Sequence, residues 1–253
     1  GWVTMTAHLS LCKSYALYKI GKRTEKNKRP FGYNVEYQNV IIDEIIQKNN
    51  LMITAIDKHY YHYLDKFPDS TSLIIHDPTE VKNKAFVEMI KRFTIYTIRD
   101  TVHKYLLDNF NITSKRIDHP FYQYDIKNDI NNNCNYKCLS ISRIDFDKHT
   151  EYILQANRLI NDTSNKIYIF GAENRLYVHH KLAKMDLKTD FETYWMKKFP
   201  KNLPLTDNDS KNLLNNCEYV VDMSIIKGDG GGTQYTFLEA IYNDCILILH
   251  KEW

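Results

Sequence analysis

Short apolar runs alternate with stretches of helical spacing along nearly the whole sequence, and no other feature restricts the fold as much. The runs include "LMITAID" (51–57), "TSLIIHD" (71–77), "TIYTI" (94–98), "CLSIS" (138–142), "KIYIF" (166–170), "EYVVDMS" (218–224) and "CILILH" (245–250). Between them, Val40–Gln47, a Tyr-rich stretch after residue 57, Lys82–Arg92, Thr101–Asn109, Glu151–Leu159, Tyr177–Lys184, Asp209–Asn215 and Thr236–Tyr242 carry helical patterns. At the start, "GWVTM" reads as a strand, Leu11–Ile20 as a helix and "YNVEY" as a further strand. Strands separated by helices cannot be joined as hairpins, so they pair in parallel under helical crossovers. The expected fold class is α/β with parallel sheets covered by helices on both faces.

The alternation breaks once, at "KNDINNNCNYK" (127–137), which has four Asn in five residues and little that is apolar. It reads as a linker. The expected organisation is an N-terminal domain over 1–126, a linker over 127–137 and a C-terminal domain over 138–253. In open α/β sheets, ligands bind beyond the carboxyl ends of the strands. Two such domains are expected to face each other across a cleft.

Composition narrows the partners. With a formal charge of +3, nucleic-acid binding does not follow from charge alone, and the basic stretch Lys19–Arg29 reads as a solvated loop. Five cysteines share no metal-ligand spacing, so no zinc site is expected; Cys217 and Cys245 read as core thiols. No apolar run has membrane-spanning length and no signal-peptide pattern opens the chain, so a cytoplasmic location is expected. The sequence starts at Gly1 and stops at Trp253 just past a strand, as a fragment would.

The strand ends hold the candidate residues. Gly228, Gly230, Gly231 and Gly232 fall within five positions of a chain with eight glycines. A helix starting at Gly232 or Thr233 would present unpaired N–H groups, and residues without side chains let a phosphate come close to them. Glu239, about two turns further on, suits a sugar hydroxyl. Arg143 and Lys148, after "CLSIS", supply two cations suited to a diphosphate. His76 and Asp77 end "TSLII", where "HD" can position a substrate hydroxyl. Asp207 and Asp209 have D-x-D spacing but read as N-capping residues. Asp145 and Asp147 lie between cations that compete for their carboxylates. His59 and His62 lack further ligands, so no metal site is expected.

Together, "SISRIDFDK" (140–148), "IYIFGAE" (167–173), "LLNNCEYVVDMS" (213–224) and "GGGTQYTFLEAIYNDCILIL" (230–249) resemble, in order and spacing, the donor-binding domain of GT-B glycosyltransferases. The resemblance is to the retaining family four, virus-encoded members of the fold included, and spans Leu139 to Trp253. "LIIHDP" (73–78) and "RIDHPF" (116–121) are similar to segments of that fold's first domain. The resemblance implies two Rossmann-like domains, incomplete at the C-terminus. It implies metal-independent sugar transfer with retention, from a nucleotide-diphosphate sugar as co-substrate and with no other cofactor. Arg143 and Lys148, with Gly230, Gly231, Gly232 and Thr233, would hold the donor diphosphate. Glu239 would bind the ribose, and His76 with Asp77 would serve the transferred sugar. The acceptor is left open among a glycan, a lipid, a protein and a modified DNA base. In one departure, Gly231 stands where the family has the first of two glutamates. The alternative reading is a non-catalytic nucleotide-sugar-binding module or a GT-B-like sugar-nucleotide epimerase, which donor hydrolysis without acceptor would separate from a transferase.

Overall fold

The computed structural model describes residues 2–20, 35, 37–55, 58–123, 136–197, 213, 214, 216–225 and 235–253. The described residues up to Tyr122 form one compact unit and those from Gln123 onward a second. Each is a layered α/β unit in which every strand pair is parallel.

Unit 1 begins with helix α1 (Trp2–Lys13), followed by β1 (Leu17–Ile20), β2 (Tyr37–Val40), α2 (Ile42–Ile45) and β3 (Met52–Ile53). A 3₁₀ helix at Lys58–Lys66 leads to β4 (Ser72–Ile75), a 3₁₀ turn at Pro78–Val81, α3 (Lys84–Ile90), β5 (Thr94–Thr97), α4 (Asp100–Phe110) and β6 (Lys115–Arg116). The strands form a two-stranded ladder, β1-β2, and a four-stranded sheet, β3-β4-β5-β6. The core joins Leu73, Ile75 and Ile95 of the sheet to Phe86, Val87 and Ile90 of α3 and Val102 and Leu106 of α4. Local chemistry fixes the helix ends. The Asn83 side chain accepts from the Ala85 and Phe86 N–H groups at 3.0 and 3.3 Å. Asn111, left-handed at φ 52°, closes α4 through its N–H to the Leu107 carbonyl.

The N-terminus corrects the sequence reading. Trp2–Met5 of "GWVTM" belong to a helix, and "Leu11–Ile20" holds the end of that helix, a turn and a strand. Residues Met5 to Ser10 of α1 are all buried, Thr6, His8 and Ser10 among them. A helix enclosed on all sides has no one-sided apolar stripe to reveal it. The turn is built by Ser14, at φ 53°, and by the Ser10 hydroxyl donating to the Tyr15 carbonyl at 2.7 Å.

Unit 2 runs β7 (Cys138–Ile141), α5 (Thr150–Leu159), β8 (Ile167–Phe170), a π-helical turn at Tyr177–Leu182, α6 (Lys188–Tyr194), β9 (Tyr219–Asp222), α7 (Tyr235–Tyr242) and β10 (Ile246–Leu249). Its sheet order is β10-β9-β7-β8. All four residues of β7 are buried, as expected of a central parallel strand covered on both faces. The two faces carry separate cores. Ile167, Ile169 and Val221 pack with Ile153, Leu154, Tyr177 and Phe191, whereas Leu139, Ile141 and Val220 pack with Leu214, Ala240 and Cys245. The buried amide of Asn157 joins α5 to β8, donating to the Ile167 carbonyl at 2.9 Å and accepting its N–H at 2.8 Å.

Beyond the strands, β7 and β8 stay zipped together: the Ile144 N–H donates to the Ala172 carbonyl at 2.9 Å, and the Asn174 N–H to the Ile144 carbonyl at 2.8 Å. Gly171 sits inside this zipper, and a Cβ there would lie 1.7 Å from the Ser142 carbonyl oxygen. Backbone cannot yield to such a clash as a flexible side chain can. Gly171→Ala is therefore expected to destabilise the protein by about 1–3 kcal/mol or more, by overpacking. Urea denaturation followed by tryptophan fluorescence, comparing midpoints with the parent chain, checks this.

Candidate functional site

In unit 2, the loop after β7 carries both sequence-predicted cations. Arg143 has 65% of its side chain exposed and lies between two carboxylates, 3.4 Å from Asp145 and 3.5 Å from Asp147. Lys148 is only 15% exposed, with its Nζ 4.0 Å from Asp147. These aspartates pair with the cations, as their spacing suggested. Asp145 also accepts from the Asn174 amide at 2.9 Å, which ties the loop to β8.

The start of α5 is fixed by a buried network that sequence reasoning did not foresee. Glu151, 3% exposed, accepts hydrogen bonds from the Tyr177 hydroxyl and the Lys181 ammonium, with His149 at 3.2 Å. Its N–H donates to the Tyr177 hydroxyl oxygen at 3.1 Å. Burial alone would raise the Glu151 carboxyl, yet the bonds from Lys181 and Tyr177 hold it below its ordinary value. Burial and the adjacent carboxylate push the Tyr177 phenol up. The network anchors the start of α5, which begins two residues after Lys148.

At the end of β9, Asp222 is 3% exposed. Its Oδ1 accepts the Ser224 N–H at 2.8 Å and the Ser224 hydroxyl. Its Oδ2 is buried and has no hydrogen-bond partner among the described residues. Trp253 closes this corner by donating from Nε1 to the Ser224 carbonyl at 2.8 Å, with its ring edge-on to Phe237 of α7. Asp222 was not singled out in the sequence, where it lies within the run "EYVVDMS". Glu239 lies on α7 at 1% exposure. Gly230, Gly231, Gly232 and Thr233 lie outside the described residues, as do Asp207 and Asp209.

In unit 1, polar groups collect beyond the carboxyl ends of β3, β4, β5 and β6. His76, 5% exposed, has its Nε2 2.8 Å from the Thr54 carbonyl. A carbonyl only accepts, so Nε2 carries the proton and Nδ1 is the acceptor-type nitrogen. The His76 N–H donates to Glu80 at 3.2 Å. Asp77 caps the Pro78–Val81 turn, accepting from the Thr79 N–H at 2.8 Å and from the Thr79 hydroxyl. His76 and Asp77 thus stand at one strand end but do different things: one faces Thr54, and the other holds the turn that presents Glu80. Thr6 of α1 donates to the Thr54 hydroxyl at 2.7 Å, and His8 of the same helix accepts the Tyr122 N–H at 2.9 Å. Burial lowers His76 to about 4, with the nearby Arg99 charge adding to the effect. Burial raises Glu80 to about 8. Burial and Arg99 also lower His119. Near neutral pH this edge therefore holds a neutral imidazole beside an uncharged carboxyl. Glu80, Arg99 and His119 were not singled out in the sequence, because only folding brings the three strand ends together.

Among the described residues, no group of three or more His, Cys, Asp or Glu side chains is arranged to hold a metal ion, and no helix is long and apolar enough to cross a membrane.

No family model matches the chain, and no curated protein matches it. Solved structures do. An α-glucosyltransferase in complex with UDP and a 13-mer DNA is similar over 98% of this chain and 75% of its own, with a TM-score of 0.65 at 14% identity. A glycosyltransferase from Rickettsia africae is similar over 98% of this chain and 74% of its own, with a TM-score of 0.52 at 15% identity. HepE from Anabaena, in complex with UDP, is similar over 83% of this chain, with a TM-score of 0.55 at 11% identity. The chain spans 62% of the HepE length. The fold is therefore that of the GT-B glycosyltransferases: α/β, with two parallel-sheet units.

The strand-end chemistry of unit 1 carries a pH signature. Glu80 binds its proton more tightly when folded, since its value rises from 4.5 to about 8, so stability falls as pH rises from 4.5 through 8. His76 is lowered from 6.5 to about 4, so its contribution is present above 6.5 and lost as pH falls towards 4. The two oppose each other at mildly acidic pH, and above 6.5 only the Glu80 decline remains. Glu80→Gln is expected to remove most of the loss of stability between pH 6.5 and 8. Urea midpoints of parent and variant at a series of pH values measure it, and parallel curves would exclude the assignment.

Proposed function

We propose that the chain is a glycosyltransferase that moves a sugar from a nucleotide-diphosphate sugar to an acceptor hydroxyl, with retention and without a metal ion. The observation that carries this reading is the basic loop at the carboxyl edge of β7, held against β8 at Gly171, within a fold shared with glycosyltransferases solved with UDP. In the proposal Lys148, mostly buried after β7, neutralises the donor diphosphate. Arg143, more exposed, exchanges its aspartate partners for phosphate oxygens. Gly230, Gly231, Gly232 and Thr233 offer backbone N–H groups to the same phosphates. Protein cations and N–H dipoles then stabilise charge on the departing diphosphate in the role a metal would otherwise take. Glu239 binds the ribose hydroxyls.

On the unit 1 side of the proposal, His76 contacts the transferred sugar. Its Nε2–H is committed to the Thr54 carbonyl, which fixes the tautomer and the orientation of the ring. Asp77 is a positioning residue, acting through the turn that carries Glu80. UDP in two of the similar structures makes a uridine diphosphate sugar the first donor to test, and the DNA in one of them makes duplex DNA with a hydroxylated base the first acceptor. The assay follows UDP release and product mass with a panel of UDP-sugars and acceptors in EDTA. Transfer with chelator present is expected; failure to bind any nucleoside diphosphate at millimolar concentration would overturn the reading.

Two variant series divide the donor site. Lys148→Ala is expected to weaken UDP binding by about 1.5–3 kcal/mol, the worth of a charged hydrogen bond, and Arg143→Ala by less because its guanidinium is solvated and already paired. Isothermal calorimetry gives both values, and unchanged affinity in both would remove the loop from the site. Glu239→Gln is expected to weaken a ribonucleoside diphosphate more than its 2′-deoxy analogue, which already lacks one hydroxyl. Equal losses for the two ligands would reassign Glu239 to the core.

A further inference from the structure

Several surface cations of unit 2 are neutralised within the unit. Lys137, Arg143, Arg158, Lys181 and Lys188 each meet a carboxylate. The helical segment 175–184, which follows β8 and contains the π-helical turn, departs from this pattern. Its sequence, "RLYVHHKLAK", has no acidic residue. Tyr177, Val178 and Leu182 are buried in the core of the unit, and Lys181 is held by Glu151. Arg175, His179, His180 and Lys184 are exposed, and among the described residues their side chains have no hydrogen-bond or ion-pair partner. The first acid beyond the segment, Asp186, lies 3.5 Å from Arg158.

This face is fixed in place and adjoins the loop after β7. The Asn174 side chain accepts the Leu176 N–H at 3.0 Å, and its amide donates to Asp145 of that loop at 2.9 Å. Phe146, from the same loop, is half-exposed and lies edge-on to Tyr177, with ring centroids 5.3 Å apart. The four free groups form two stripes, Arg175 with His179 and His180 with Lys184, each pair four residues apart. Such neighbours stand about 5–6 Å apart at Cβ. The segment is about 13 Å long, and over that length a nucleic-acid duplex presents about eight negative charges. Arg and Lys neutralise phosphates, and a histidine ring donates an N–H to a phosphate oxygen in either protonation state. A small overall charge gives no nucleic-acid affinity by itself, whereas a clustered basic face does. A membrane surface fits less well. Helices that lie in a bilayer interface turn an apolar stripe outward. Here the apolar stripe is spent on the core, and Leu176 is the one large apolar side chain among the exposed residues of 175–184.

We infer that the exposed face of 175–184 is a docking surface for the phosphate backbone of duplex DNA, with Arg175 and Lys184 neutralising phosphates and His179 and His180 donating hydrogen bonds to them. The face reads charge and spacing, not sequence. The role of that DNA as the acceptor rests on the transferase reading above; the binding itself does not. Through Phe146 and Asn174 the docked duplex lies beside the loop that carries Arg143 and Lys148.

The test measures binding of the 253-residue chain to a fluorescent duplex of ordinary bases by anisotropy, between about 50 and 200 mM salt. Three proteins are compared: the parent, Arg175→Ala with Lys184→Ala, and Lys91→Ala with Lys137→Ala. The last pair makes the same change in net charge at ion-paired positions off the face. The face variant is expected to bind about tenfold or more weakly at about 0.1 M salt, and its plot of log affinity against log salt to be shallower by about 2. The off-face variant is expected to keep the parent's slope. Calorimetry with UDP is expected to give equal affinity for parent and face variant, which also shows that the variant is folded. No binding of duplex by the parent, an unchanged slope in the face variant, or an equal flattening in both variants overturns the inference. So does competition by poly-glutamate as strong as that by duplex at equal charge, which assigns the face to an acidic protein. Cosedimentation with phosphatidylserine and phosphatidylcholine vesicles that the face variant loses, while its DNA binding stays at the parent's level, assigns it to a lipid surface and likewise overturns it. A parent that binds duplex through this face but does not bind UDP upholds the docking surface and overturns the transferase reading.

Discussion

Parallel pairing is the constraint from which the rest of this structure follows. Each parallel ladder orients its strands one way, so every connection must return along a helix. The carboxyl ends of all strands in a sheet then share one edge, and side chains far apart in sequence meet there. In unit 1 this brings Thr54, His76, Glu80, Arg99 and His119 under mutual influence through hydrogen bonds and charge. In unit 2 it gathers the Ser142–Lys148 loop, Gly171 and the Asp222–Ser224 corner. Neither cluster corresponds to a motif that is continuous in sequence.

Two features turn those edges from loose loops into defined surfaces. Gly171 lets the loop after β7 approach β8 more closely than any side chain permits, and the hydrogen bonds of Ile144 and Asn174 hold it there. The buried Glu151 network, with Tyr177 and Lys181 as partners, fixes the first turn of α5. A carboxylate so deep in a protein is tolerated because its oxygens are met by an ammonium and a phenol; alone it would take up a proton. Glu80 shows the contrary case. With a backbone N–H as its neighbour and Asp77 close by, burial dominates and the carboxyl stays protonated near neutrality.

The alternating pattern made the sheet architecture legible where strands are buried on both faces. β4, β7, β8 and β9 fall inside the apolar runs that marked them, because a doubly covered strand needs an unbroken apolar stretch; β5 and β10 fall inside their runs too, although Ile246 and Ile248 of β10 are exposed. The N-terminus was misread for the same reason in reverse: α1 is buried on several sides, its polar residues included, so it lacks the stripe that distinguishes a helix from a strand.

The sequence by itself determined the α/β class and the parallel pairing. It marked Arg143, Lys148, His76 and Asp77, since their positions after apolar runs are local facts. Only the tertiary structure decided what each can do. It set Arg143 between two aspartates in solvent, left Lys148 mostly buried near Asp147, and gave Asp77 to a helix cap. It also raised Glu80 and left one oxygen of Asp222 buried without a partner among the described residues. Protonation and reach depend on burial and on neighbours brought in from other strands, and those distances exist only once the chain has folded.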